Sequence, residues 1–198
     1  MHGLVNRSIQ SFLREAYGPS AWSMIVKSAE IGIDGFEPML TYPADQTEAI
    51  LTAACRTLNM SRSDLLESLG TFLLTSPNLE ALRRLLRFGG LSFVDFLHSI
   101  EDLPDRARLA LPDLELPELI LSDLSEGNYS LLCAPFVNGV GHIAVGLLRA
   151  MADDYGALVL LDHSGTVGAY EAVSIQVLDQ DFSQGKRFDL ALPGDGAR

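Results

Sequence analysis

The hydrophobic period of this chain changes once, near Pro117, and that change limits the folds open to it. Up to Pro117 apolar residues recur every three or four positions, the spacing that lines one face of a helix. Beyond it, short runs with strand character take over, interrupted by a single helical stretch. Helices first, then strands with one inserted helix, read as an α+β domain. The 198 residues, 47% of them hydrophobic, are enough for one domain with a real core. Residues 1–192 read as that single domain and 193–198 as a frayed tail.

Ile9, Phe12, Leu13, Ala16 and Tyr17 recur at helical spacing, and Gly18-Pro19 stops the run. Trp22, Ile25, Val26 and Ala29 make a second, shorter stripe, and 32–43 read as a loop. A third helix follows from about Asp45, with Ile50, Leu51, Ala54, Cys55 and Leu58 on one face. Ser61 and Asp64 have capping-box spacing, Asp replacing Glu, and open a helix bearing Leu65, Leu66, Leu69, Phe72 and Leu73. Pro77-Asn78 and Gly89-Gly90 bracket a fifth helix, whose Arg83, Arg84 and Arg87 read as a solvated face. A sixth runs from about Ser92 to Leu103, with Phe93, Phe96, Leu97 and Ile100 inward. Pro104 is expected to end or cap it, because proline lacks an N–H and clashes with a continuing helix.

Strands are expected over 119–124 and 129–136, joined through Glu126-Gly127-Asn128. Val140 to Tyr155 returns to helix. Strands over 157–162 and 170–178 flank a turn at 165–168, and 187–192 read as a last edge strand.

The net charge of −12 disfavours binding to phosphate backbones, so nucleic acid is not an expected partner. No run reaches the roughly 18–20 apolar residues of a membrane span. The N-terminus lacks a basic segment followed by a long apolar run, so the expectation is a cytoplasmic protein with no membrane partner. Cys55 and Cys133 are the only cysteines, in no metal-ligand spacing. P-loop, GxSxG and HExxH motifs are absent, and no nucleophile–base pair stands out, so an enzyme is not expected. Gly139-Val140-Gly141 reads as a strand-to-helix turn, since Ala144 replaces the third glycine of a dinucleotide motif. Asp153-Asp154 reads as a solvated pair.

Several segments in order carry a resemblance: Gly3-Leu4-Val5-Asn6 at the start, Tyr42-Pro43 before a helix, Phe96-Leu97-His98 through Leu103, Leu111-Pro112-Asp113-Leu114 with Pro117, and Val145-Gly146-Leu147-Leu148. Together, over roughly residues 1–180, they resemble the H-NOX (haem nitric oxide/oxygen binding) family. The resemblance implies a helical N-terminal layer on a C-terminal antiparallel sheet carrying the helix 140–155, with a pocket between the layers. In typical members the pocket holds haem b. A proximal histidine binds the iron, and a Tyr-x-Ser-x-Arg motif clamps the propionates. The implied output is a signalling partner such as a histidine kinase or a cyclic-dinucleotide enzyme.

This chain departs from that pattern at four linked positions. Pro104 stands where the resemblance places the iron ligand, and Cys133, Pro135 and Val137 stand where it places the clamp. Buried propionates without partners would carry a large desolvation penalty. The reading is therefore a stand-alone H-NOX-fold sensory or regulatory domain without the usual haem ligation. Phe93, Phe96, Leu97 and Phe136 are expected to fill the vacated space, because a large cavity is costly.

Four histidines remain. Six residues turn a helix through about 600°, so His98 lies off the ligand direction. His2 is placed at the pocket's edge and His163 near an exposed strand end. His142 falls where oxygen-binding members place a distal tyrosine. It reads as a distal ligand, a donor to a bound molecule, or a satisfied core histidine. The alternatives are thus an atypical haem protein using His142 and a ligand-free protein-interaction module.

Overall fold

The computed structural model describes residues 1–186. Gly3–Tyr17 (α1), Pro19–Ala29 (α2), Ala44–Leu58 (α3) and Arg62–Thr75 (α4) form the N-terminal layer. Glu80–Arg87 (α5), Phe93–His98 (α6) and Leu103–Ala110 (α7) lead to the sheet. Its strands are Leu119–Ser125 (β1), Asn128–Cys133 (β2), Leu158–Val167 (β3) and Tyr170–Asp179 (β4), with Val140–Tyr155 (α8) between β2 and β3. All pairings are antiparallel and the order is β1-β2-β4-β3, an α+β fold. The 187–192 strand and the tail expected from sequence lie outside the described residues.

The two layers have separate cores. Phe12, Leu13, Trp22, Ile25, Ile50, Leu51, Leu65 and Leu66 fill the helical one. Phe93, Phe96, Leu97, Leu131, Val145, Leu148, Met151, Val173 and Ile175 fill the one under the sheet. Helix α8 serves both, with Ile143 packed against the first and Val145 and Leu148 inside the second. It meets α4 at glycines. A Cβ on Gly146 would lie 2.8 Å from the Glu67 carbonyl carbon, and one on Gly70 would lie 2.8 Å from the Leu147 nitrogen. The helices therefore touch through their backbones, and Thr71 Oγ1 donates to the Gly146 carbonyl at 3.2 Å.

Local signals placed most boundaries. Gly18, at φ 91°, links α1 to α2, and Pro19 sits in the first turn of α2, where a missing N–H is harmless. Ser61 caps α4 through the Asp64 N–H, and the full reciprocal box is at Ser92 and Asp95. Glu126 and Gly127, both at positive φ, make the tight β1–β2 turn.

Three boundaries differ from the sequence expectation. The helix begun at Ser92 ends at His98, and a 3-10 turn over Ile100–Asp102 follows. Pro104 then opens α7 instead of ending α6. Proline fits the first turn of a helix as well as it stops one. The break comes at Ser99, whose carbonyl accepts from the Arg106 guanidinium at 2.8 Å. Strand β2 stops at Cys133, short of Pro135, which has no ladder donor. Strand β3 runs to Val167, five residues further than expected, by way of a bulge between His163 and Gly165.

Candidate functional site

The candidate site is the layer boundary around α6, α7, the end of β2 and the start of α8. Pro104 is buried in the first turn of α7, between Leu103 and the helix that carries buried Ala107. Its side chain holds no lone pair that an iron could accept. Pro117 is half-buried in the loop before β1. Cys133 ends β2 with no exposure, paired across the ladder with Glu171. Burial, with the Glu171 charge adding to it, pushes the Cys133 thiol up to about 12, so it stays protonated at neutral pH. Pro135 is exposed in the following loop, and Val137 is 5% exposed in the helical core. None of these three side chains carries a hydroxyl or guanidinium for a carboxylate.

Apolar groups fill the neighbourhood. Phe93, Phe96 and Leu97 are fully buried, and Phe136 packs against both cores. Phe93, Phe96 and Tyr155 form a ring cluster with centroid separations of 5.9, 6.4 and 6.1 Å. Two shallow grooves mark the surface elsewhere, one beside Trp22, Val26 and Lys27, the other beside Phe12, Tyr17, Thr71 and Arg149. Neither is lined by Phe93, Phe96, Cys133 or Pro104.

The histidines sit apart from this packing. His2 caps α1, its Nδ1 accepting from the Leu4 N–H at 3.2 Å. His98 is exposed at the end of α6, edge-on to Tyr129 at 5.8 Å. His142 faces Glu67 and stacks on His163, with centroids 4.2 Å apart. His163 is not at an exposed strand end as expected. The lengthened β3 brings it under α8, where its side chain is 20% exposed and lies 3.1 Å from Glu171.

Two polar arrangements were not foreseen. The pair at 153–154 divides: Asp153 is exposed, as expected, but Asp154 is 3% exposed and is clasped by Arg83, at 2.6 Å, and Arg87. Arg87 also lies 4.0 Å over the Tyr155 ring. The fifth helix thus turns part of its basic face inward. A weak signal was present, since a carboxylate in the last turn of a helix opposes the helix dipole and is favoured by a nearby cation. The second is Glu171, which accepts from the Gly139 N–H at 2.7 Å and the Gly141 N–H at 2.9 Å. It caps the strand-to-helix turn that the glycines marked.

Comparison with known proteins follows the same lines. The Haem-NO-binding family model matches residues 2–163. Soluble guanylate cyclase 89Db of Drosophila melanogaster is 19% identical over 158 residues, 80% of this chain and 24% of the cyclase. Soluble guanylate cyclase gcy-31 of Caenorhabditis elegans is 21% identical over 154 residues, 78% of this chain and 22% of the cyclase. The chain therefore spans about a quarter of these relatives. Among solved structures, a triple mutant of an H-NOX protein from S. oneidensis in the Fe(II) ligation state superposes with a TM-score of 0.76 at 17% identity. The Fe(II) unliganded H-NOX protein from K. algicida gives 0.76 at 18%. Both superpositions cover 93% of this chain and 100% of the other.

Proposed function

We propose a function from one premise: this chain belongs to the haem-NO-binding family. Its fold is that of a haem-based gas sensor, the H-NOX fold. It acts as a sensory or regulatory domain that has lost the family's usual haem ligation and signals through a protein partner. The carrying observation is Pro104, buried in the first turn of α7 where the family places its iron ligand. Three further features support the reading. Cys133, Pro135 and Val137 offer no group to a propionate. Phe93, Phe96 and Leu97 close the space beneath the sheet. The backbone contact of α4 with α8 leaves no width at the layer boundary even for a methyl group at Gly70 or Gly146. These residues do not fit a haem held by the family's usual ligand and clamp.

Haem ligation by His142 is the second reading. It has less support, because the His142 Nδ1 is directed at Glu67 and its ring is stacked on His163. The partner belongs to the signalling enzymes: a histidine kinase, a cyclic-dinucleotide enzyme, or a nucleotide cyclase of the kind the relatives are. In this reading the domain is a sensor and not the catalytic part of the pathway, and it acts in the cytoplasm.

The test is a haem titration of Pro104→His beside the unaltered chain. The variant is expected to gain weak binding, well below one haem per protein, because the clamp positions still lack polar groups. A full-stoichiometry complex in Pro104→His would mean that only the ligand was missing, and the clamp argument would fail.

A further inference from the structure

We propose that the outer face of the sheet is a self-docking surface, on which a second copy of this chain packs about a two-fold axis parallel to the strands.

Alternation along the strands sends Tyr129, Leu131, Cys133, Val173 and Ile175 into the core beneath the sheet. Their neighbours face the other way, in three ladder rows fixed by the register. Ile120, Leu132, Ala172 and Gly165 make the first row, from β1 through β2 and β4 to β3. Ser122, Ser130, Ser174 and Asp162 make the second. Asn128, Gln176 and Leu160 make the third, with Leu124 in the β1 irregularity beside Asn128. Leu124 is 62% exposed and Leu160 is 56% exposed. In these rows Asp162 is the single charged residue, and no lysine or arginine is present.

Charge and shape choose the occupant. The chain carries a net charge of −12, so two copies repel wherever their acidic surfaces meet. A face between copies has to be nearly free of charge, and these rows are. A basic partner would find one carboxylate here, and an acidic partner no cation. The strand order β1-β2-β4-β3 puts the midline between β2 and β4. A two-fold axis along that line lays β1 on β3 of the other copy, and β2 on its β4. Ile120 then lies over Gly165 of the other copy and Leu132 over its Ala172, so large side chains enter the room that small ones leave. The Ser122 hydroxyl meets Asp162 and can donate to the one carboxylate, and Leu124 meets Leu160. Such a face is isologous, complementary to itself. Packed sheets keep their strands within about 30° of each other, so the facing rows hold near the axis.

The sheet edges are less open to a second chain. On the free edge of β1 the Leu121 N–H is already taken by Glu101, at 2.6 Å. The edge strand β3 is irregular at Leu158/Val159 and again at His163/Gly165, which disfavours strand addition. Four strands over about six residues give a footprint of roughly 20 by 20 Å. Two copies therefore bury on the order of 800–1,200 Å², the range of a weak, reversible dimer. The face lies across the sheet from Phe93 and Cys133, so docking is independent of whether haem is bound.

Sedimentation equilibrium of the full chain, from low to high micromolar concentration, tests the proposal. A monomer–dimer equilibrium is expected, and added salt should tighten it by screening the net charges. Ser130→Glu and Leu160→Glu should each weaken the dimer by about tenfold or more, through like charge brought onto the face. Circular dichroism checks that each is folded, and either suffices if the other is not. Ser122→Cys and Asp162→Cys, mixed under mild oxidation beside the unaltered chain as control, should crosslink to each other and not to themselves. A monomer at every concentration overturns the proposal, as does a dimer that salt dissolves or that ignores both glutamates. Ser122→Cys crosslinking to itself as readily as to Asp162→Cys overturns the two-fold arrangement.

Discussion

Gly146→Ala is expected to destabilise this domain by about 3 kcal/mol, although alanine is the better helix former by about 1 kcal/mol. A Cβ at this position would lie 2.8 Å from the Glu67 carbonyl carbon and 3.0 Å from its Cα. Both are backbone atoms of α4, so no rotamer change relieves the clash. The helices must separate, and the Thr71 to Gly146 hydrogen bond goes with the contact. Overpacking usually costs about 1–3 kcal/mol, and a collision with backbone belongs at the upper end. In a domain of this size 3 kcal/mol lowers Tm by roughly 10 °C. Thermal melts of the variant and the parent decide the matter. A Tm unchanged or raised, as helix propensity alone demands, would contradict the close approach of α4 and α8.

Asp154→Ala should have an effect of similar size for a different reason. The carboxylate is 3% exposed, and two guanidiniums converge on it from α5. Arg83 is bonded through both Nε and Nη2, and Arg87 also donates to the Asp154 backbone carbonyl at 3.3 Å. Removing one member of a buried ion pair costs about 3–5 kcal/mol, because opposite charge stays in a poorly solvated place. The partial exposure of Arg83 and Arg87 points to the lower figure, about 3 kcal/mol. Hydrogen exchange should localise the damage. Amides of α5 should lose protection before those of α1 and α2, whose core is separate. A stability loss spread evenly over both layers would show that the clasp is not what pins α5 to α8.

The legible parts of this fold are those governed by short-range rules. Helix α8 was readable end to end because Gly139 and Gly156, both at positive φ, punctuate it. The four strands were readable from their runs and turns. Pro104 was not, because the same residue can stop a helix or start one. The choice depends on Ser99 and on Arg106, which takes the Ser99 carbonyl. Asp154 was misread because its partners lie about seventy residues earlier in the chain. The stack of His142 on His163 depends on the length of β3 and on its bulge, and neither follows from the local pattern at 163–165. The residue types at 104, 133, 135 and 137 can be set against the chemistry that the resemblance implies without any structure. What the structure added is that buried apolar packing, and not a polar hollow, surrounds Cys133 and Phe96.

The most direct test of the central claim is the absorbance spectrum of the unaltered protein, expressed with haem precursor and purified. The account predicts no Soret band, or a weak one that gel filtration removes, from a protein whose circular dichroism shows it folded. A Soret band at one haem per chain that survives gel filtration would contradict it, and would mean that haem is held here in spite of Pro104.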